Sequence, residues 1–193
     1  MKNGTIYIIL LAIFACNSID QKATLAVEST VLTGKSGHSE AFNQSFKKAL
    51  YAYYDLKDQF IAENEPAIQL SANQFLKEID SLPIKEMKGD TAVITTAQSY
   101  IDGIAAEIKG LLGEKEIESK RRSLQMISEQ LYDLIRVVQY DQEKIYHEYC
   151  PMAFNNDGAT WLSNSIIIRN PYLPKTMLNC GEVRDSIDFR RKQ

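Results

Sequence analysis

The chain has 193 residues and a formal net charge of -3, from 22 Lys and Arg against 25 Asp and Glu. Charges of both signs are mixed along the sequence, and the basic stripe that nucleic-acid binding requires is missing, so we expect no nucleic-acid partner. About 150 residues remain once the N-terminal signal and tether are set aside, which is the size of one domain that buries its own core.

The N-terminus is typical of a secretory signal peptide, over residues 1–15. Lys2 precedes an apolar run, residues 6–14, that is too short for a transmembrane helix, which needs about 20 apolar residues. The small residue before Cys16 resembles a bacterial lipobox, in which the cysteine is lipidated and becomes the mature N-terminus; the alternative is a plain signal peptide cleaved elsewhere. We expect an exported protein of the bacterial cell envelope (periplasm or outer membrane), lipid-anchored to the membrane at Cys16 through a flexible tether, residues 16–39.

Four stretches within residues 40–140 repeat apolar side chains at steps of three and four, which is the period of an amphipathic helix. Ser39, Asn64 and Asp90 are residues that cap helix N-termini, and they predict where the first three helices begin. The fourth helix is expected at about residues 115–140. The inward face of the second helix is expected to consist of Ala67, Leu70, Phe75, Leu76 and Ile79. Short links between the helices predict a mainly α fold, an up-down four-helix bundle.

The helical pattern breaks after the bundle, and residues 141–188 are predicted to form an irregular C-terminal hook with short β-like segments. Three prolines exclude a long helix there, whereas residues 166–168, all isoleucine, are a short β-like run. We expect the hook to pack on the bundle as part of the same domain. Trp161 and Tyr172 are its predicted apolar anchors, with stacking on a ligand as the alternative. Residues 189–193 form a charged tail.

Five side chains of the kinds that soft metal ions select lie in the hook. They are His147, Cys150, Met152, Met177 and Cys180. Thiolate, thioether and imidazole groups together favour copper(I). In this interpretation the two cysteines are reduced thiolate ligands, and the two thioethers and the imidazole are auxiliary donors.

A disulfide between Cys150 and Cys180 is the alternative, because the envelope outside the cytoplasm is oxidising. Such a bond would close a loop of about thirty residues and stabilise the fold by about 3–4 kcal/mol in the loop-entropy model. Met152 and Met177 would then only fill the core, and His147 would only form a hydrogen bond. We do not expect an enzyme, because no oxyanion loop and no oriented base can be assigned to the thiol of Cys150.

Five motifs in chain order have a recognisable pattern. They are Tyr53-Tyr54-Asp55-Leu56-Lys57-Asp58, Tyr149-Cys150-Pro151-Met152-Ala153, Gly158-Ala159-Thr160-Trp161-Leu162-Ser163, Ile168-Arg169-Asn170-Pro171-Tyr172 and Met177-Leu178-Asn179-Cys180-Gly181-Glu182-Val183. Together they resemble a family of domains of unknown function that occurs in bacterial envelope lipoproteins and fused to periplasmic adaptor subunits of heavy-metal efflux pumps. The resemblance covers about residues 46–187 and departs at Leu173-Pro174, where the family often has Phe-Gly.

The resemblance implies a domain that handles a metal such as copper in the envelope, with an efflux-pump component as a partner, although the family has no established activity. The expected function is therefore binding of a soft metal ion, copper(I) first, or support of heavy-metal efflux. The alternative belongs to another class, a non-metal interaction module stapled by a Cys150–Cys180 disulfide.

Overall fold

The computed structural model describes Met1 and residues 36–190. Residues 36–190 belong to one compact unit, Leu32–Gln193. The predicted signal peptide, the predicted lipidation site Cys16, most of the tether and the end of the charged tail lie outside the described residues. Within the described part, none of the helices combines the length and the apolar character that crossing a membrane requires.

Four long helices form the body of the domain. They are α1 (Glu40–Ala62), α2 (Glu65–Asp80), α3 (Thr91–Gly113) and α4 (Ile117–Val138), with a short 3-10 helix (Ile84–Glu86) between α2 and α3. Consecutive helices pack on one another, which confirms the predicted four-helix bundle. The side chains of Ser39, Asn64 and Asp90 each accept a hydrogen bond from the backbone N–H three residues further on, so the three predicted helix starts are confirmed.

The prediction that Leu70 belongs to the inward face of α2 is wrong. Leu70 is 74% exposed. The face of α2 that the core fully buries consists of Ile68, Ala72, Phe75 and Ile79. These four follow steps of four, three and four residues, and at 3.6 residues per turn Leu70 lies on the opposite side of the helix.

The hook, residues 141–188, contains a three-stranded antiparallel sheet, whose β1–β3 pairing shifts register between His147 and Glu148. Its strands are β1 (Ile145–Cys150), β2 (Ala159–Ser163) and β3 (Glu182–Ile187), in the order β2-β1-β3, with a short turn α5 (Ala153–Asn156) of mostly left-handed backbone between β1 and β2. The predicted β-like run at residues 166–168 is wrong, because that segment follows β2 as bends and a loop. Isoleucine favours a strand only where a neighbouring strand and a packed face are available, and Ile166 and Ile167 are exposed.

The sheet packs on the bundle through β2, which lies against α4. Trp161 of β2 is fully buried, and Tyr172 of the following loop is nearly so. The Tyr53 hydroxyl of α1 accepts a hydrogen bond from the backbone N–H of Leu162 at 2.9 Å and lies 2.7 Å from the hydroxyl of Ser128 on α4. One buried phenol therefore joins α1, α4 and the sheet.

Candidate thiol site

The two cysteines of the hook lie in contact. Cys150, the last residue of β1, is fully buried, and Cys180, just before β3, is half-buried. Their Sγ atoms are 2.9 Å apart and both thiols are free. A disulfide bond measures about 2.05 Å, whereas two thiolates about 2.3 Å from one tetrahedral ion lie about 3.7 Å apart. Bond formation therefore requires the two sulfur atoms to approach each other, whereas metal binding requires them to move apart.

Strand pairing brings the two cysteines together. Tyr149 of β1 pairs with Glu182 of β3, so the chain just before β3 passes beside the end of β1. Gly181 connects Cys180 to β3 with a φ of +143°. A Cβ at this position would lie 2.9 Å from the Tyr149 carbonyl oxygen and 3.0 Å from the Trp161 ring, so only glycine allows this close approach without displacing its neighbours.

The Cys180 thiol is a poor acid. The pKa of Cys180 is raised to about 11, because its thiol shares a hydrogen bond with Cys150 and because burial and the neighbouring sulfur disfavour its charge. Cys180 is therefore protonated at neutral pH. Binding of a metal has to displace that proton, and attack on a disulfide by this thiol is slow for the same reason.

Both methionines of the predicted site lie at the surface. Met152, in the turn after β1, is 44% exposed and Met177 is 36% exposed. Met177 and Cys180 share one turn, because the Cys180 backbone N–H donates to the Met177 carbonyl at 3.0 Å. Neither thioether fills the core, and each lies within three residues of a cysteine.

His147 is not brought to the thiol pair. Its ring stacks on Tyr132 of α4, with the ring centroids 4.1 Å apart and the planes inclined by 24°. Burial lowers the pKa of His147, and the nearby Arg184 guanidinium lowers it further. Among the residues that the structure describes, no group of three or more His, Cys, Asp or Glu side chains is arranged to hold a metal ion. Any soft-metal site here therefore depends on sulfur donors.

Glu148 was not among the predicted site residues, although it is the most unusual charged group of the hook. It is fully buried two positions before Cys150, and neither carboxylate oxygen has a hydrogen-bond partner among residues 36–190. Burial raises the pKa of Glu148 to about 7, against the opposing influence of Lys57 and of the Trp161 indole. Residues two apart in a strand point to the same face of the sheet. The spacing of Glu148 and Cys150 is therefore the sequence signal that could have indicated a buried carboxylate beside the cysteine.

Residues 49–143 match a family described as "Protein of unknown function (DUF3347)". The match covers most of α1, all of α2, α3 and α4, and ends before β1, so it includes neither Cys150 nor Cys180. The predicted resemblance to a family of domains of unknown function is supported over this range. The searches of curated proteins and of solved structures found no match.

Proposed function

We propose that the domain binds a soft metal ion, copper(I) first, through the thiols of Cys150 and Cys180. The observation that carries this proposal is the 2.9 Å contact between the two sulfur atoms, one of them half-buried and the other fully buried. Paired thiolates are the donors that soft ions select over harder ones. The ion is cargo in this proposal, and the setting is the bacterial envelope, with a lipid anchor at Cys16.

The exposed methionines support transfer rather than permanent storage. Met152 and Met177 offer neutral thioethers at the surface, near the thiols in sequence but outside the core. A thioether binds copper(I) without losing a proton, so it can hold the ion while a thiolate is exchanged. The receiving partner in this proposal is a component of an envelope efflux pump.

Binding of the ion requires two changes at the thiol pair. The sulfur atoms must move apart from their 2.9 Å contact to admit an ion between them, and the Cys180 proton must leave a thiol whose pKa is raised to about 11. Affinity is therefore expected to rise with pH through the neutral range, because each step in pH reduces the cost of deprotonation.

The alternative function is a non-metal interaction module stapled by a Cys150–Cys180 disulfide. The same 2.9 Å contact favours it, together with the full burial of Cys150. The described residues also place no third His, Cys, Asp or Glu ligand at the pair. Oxidation would fix β1 to the segment before β3 and leave no thiolate for a metal.

Copper titration of the purified full chain separates the two functions. The chain carries Cys16→Ser, so that two of its three cysteines remain. Free thiols are counted, the protein is fully reduced, and copper(I) is titrated against a coloured chelator. The metal proposal predicts one ion per chain, with binding lost in Cys150→Ser. Met152→Leu should weaken binding by about tenfold if the thioether contributes about 1.4 kcal/mol.

Met126→Leu is the matched control, because Met126 on α4 is 45% exposed, nearly as much as Met152. Its copper affinity should equal that of the parent chain. Absence of stoichiometric binding by the reduced parent, or equal weakening by both methionine substitutions, contradicts the metal proposal. A parent without free thiols that loses stability on reduction supports the stapled module instead.

A further inference from the structure

Asn170 has the most complete hydrogen bonding of any side chain in the loop between β2 and β3. It is fully buried. Its side-chain oxygen accepts hydrogen bonds from the backbone N–H groups of Tyr172 at 2.8 Å and Leu173 at 3.2 Å. Its amide nitrogen donates to the Cys180 carbonyl at 3.0 Å, and its own backbone N–H donates to the Leu178 carbonyl at 2.7 Å.

These bonds close residues 171–180 into a loop whose two ends meet at Asn170. The side-chain oxygen of Asn170 accepts hydrogen bonds from the beginning of the loop, and the side-chain nitrogen donates one to its end at Cys180. The loop is attached to the sheet as well, because the Tyr172 hydroxyl donates to the Thr160 carbonyl. Thr160 pairs with Tyr149, the residue before Cys150.

We infer that Asn170 is a positioning residue for the thiol pair, because its side-chain amide holds the Cys180 carbonyl where the Cys180 sulfur meets that of Cys150. Asn170 acts through the backbone of Cys180 rather than on a sulfur atom. The inference rests on the proposed function in taking the two thiols as the functional groups. The inference holds whether the two sulfur atoms form a disulfide or bind one metal ion.

The effective concentration of one thiol at the other measures this positioning. In a glutathione buffer, the thiols of Cys150 and Cys180 give up two protons and two electrons and form one S–S bond. One glutathione disulfide accepts them and becomes two glutathione molecules, so the reaction balances. The equilibrium constant is the effective concentration, and it falls when the loop that carries Cys180 gains conformational freedom.

The test compares Asn170→Asp with the parent in the full chain carrying Cys16→Ser. Aspartate keeps the oxygen that caps the Tyr172 and Leu173 amides and loses the N–H donor to Cys180. We expect the effective concentration to fall by about tenfold, which makes the disulfide easier to reduce by about 30 mV. Asn170→Ser removes the same donor with a small uncharged side chain and should shift the potential in the same direction.

Asn43→Ser is the control, because Asn43 is also a buried asparagine but lies on α1, in the bundle. It should leave the potential of the thiol pair unchanged while altering stability. A parent-like potential in folded Asn170→Asp overturns the inference. Unfolding of both Asn170 variants, seen by circular dichroism, overturns it too, since Asn170 would then support the whole fold.

Failure of the inference and failure of the proposed function give different results. A parent chain that binds no copper(I) removes the metal proposal, yet the potentials of the parent and the Asn170 variants can still be compared. A parent chain that binds copper(I) with unchanged potentials in those variants removes only the role of Asn170.

Discussion

The bundle and the hook differ in how far apart in sequence their stabilising contacts lie. In the bundle, helix hydrogen bonds are local, and caps such as that of Ser39 act on residues three positions away. The hook depends on long-range contacts, such as that between Cys150 and Cys180 and the bond from Leu162 to Tyr53. Periodic apolar area stabilises the first region, whereas a few specific contacts set the geometry of the second.

The largest expected effect tests the claim that apolar area holds the bundle. Phe75→Ala on α2 removes a fully buried ring and should lower the free energy of unfolding by about 3–5 kcal/mol, from lost burial and a residual cavity. Urea denaturation measures the change. Leu70→Ala, on the exposed side of the same helix, should change it by no more than about 0.5 kcal/mol. Equal losses in both variants would show that the inward face of α2 is assigned wrongly.

The second effect tests the buried charge of the hook. Glu148 has its pKa raised from 4.5 to about 7, so the folded state holds this proton more tightly than the unfolded chain. The favourable contribution of Glu148 to the free energy of unfolding is therefore fully present below about pH 4.5 and is lost as the pH rises through 7. Glu148→Gln should raise the free energy of unfolding at pH 8 by up to about 3 kcal/mol, since each unit of pKa shift is worth 1.36 kcal/mol.

Urea denaturation at pH 5 and pH 8 measures this difference, and the gain should be clearly smaller at pH 5. Glu182→Gln is the control, because Glu182 is an exposed carboxylate on β3 of the same sheet. A gain in Glu148→Gln that is equal at the two pH values would mean that the carboxylate is not titrating between them.

The smallest expected effect concerns the Tyr53 side chain, whose phenol joins the bundle to the hook. Tyr53→Phe leaves the Leu162 N–H buried without its acceptor and removes the contact with Ser128. The free energy of unfolding should fall by about 1–3 kcal/mol. Hydrogen exchange at the Leu162 amide should quicken more than exchange in α3, and Tyr51→Phe, at a half-exposed ring of the same helix, should leave both unchanged. Uniform quickening over the whole domain would contradict a local role.

Local patterns explain what could be predicted from the sequence. Apolar spacing and capping residues specify a helix within itself, which is why the helix starts at Ser39, Asn64 and Asp90 are confirmed. Leu70 is apolar, yet its angle on α2 places it on the side of the helix away from the core. A leucine on an exposed face is common, so composition alone could not exclude it.

The hook was less predictable because its strands are fixed by partners far away in sequence. Residues 166–168 have strand-forming side chains but no strand to pair with, whereas β1 contains Glu148 and His147 and still lies at the centre of the sheet. Thiol chemistry singled out Cys150 and Cys180 as candidate groups, and the structure brings their sulfur atoms into contact. The proposed role of Asn170 could not be predicted, since it depends on a loop closure that is visible only in three dimensions.

The Cys150–Cys180 contact has a topological consequence. Oxidation would convert residues 150–180 into a covalent ring that includes all of β2, the strand that lies against α4. A single backbone cut inside this ring, for example after the exposed Lys175, would leave the chain in one piece. The reduced chain would separate into two fragments under denaturing conditions after the same cut, so the redox state of two sulfur atoms decides whether the molecule survives a nick as one covalent unit.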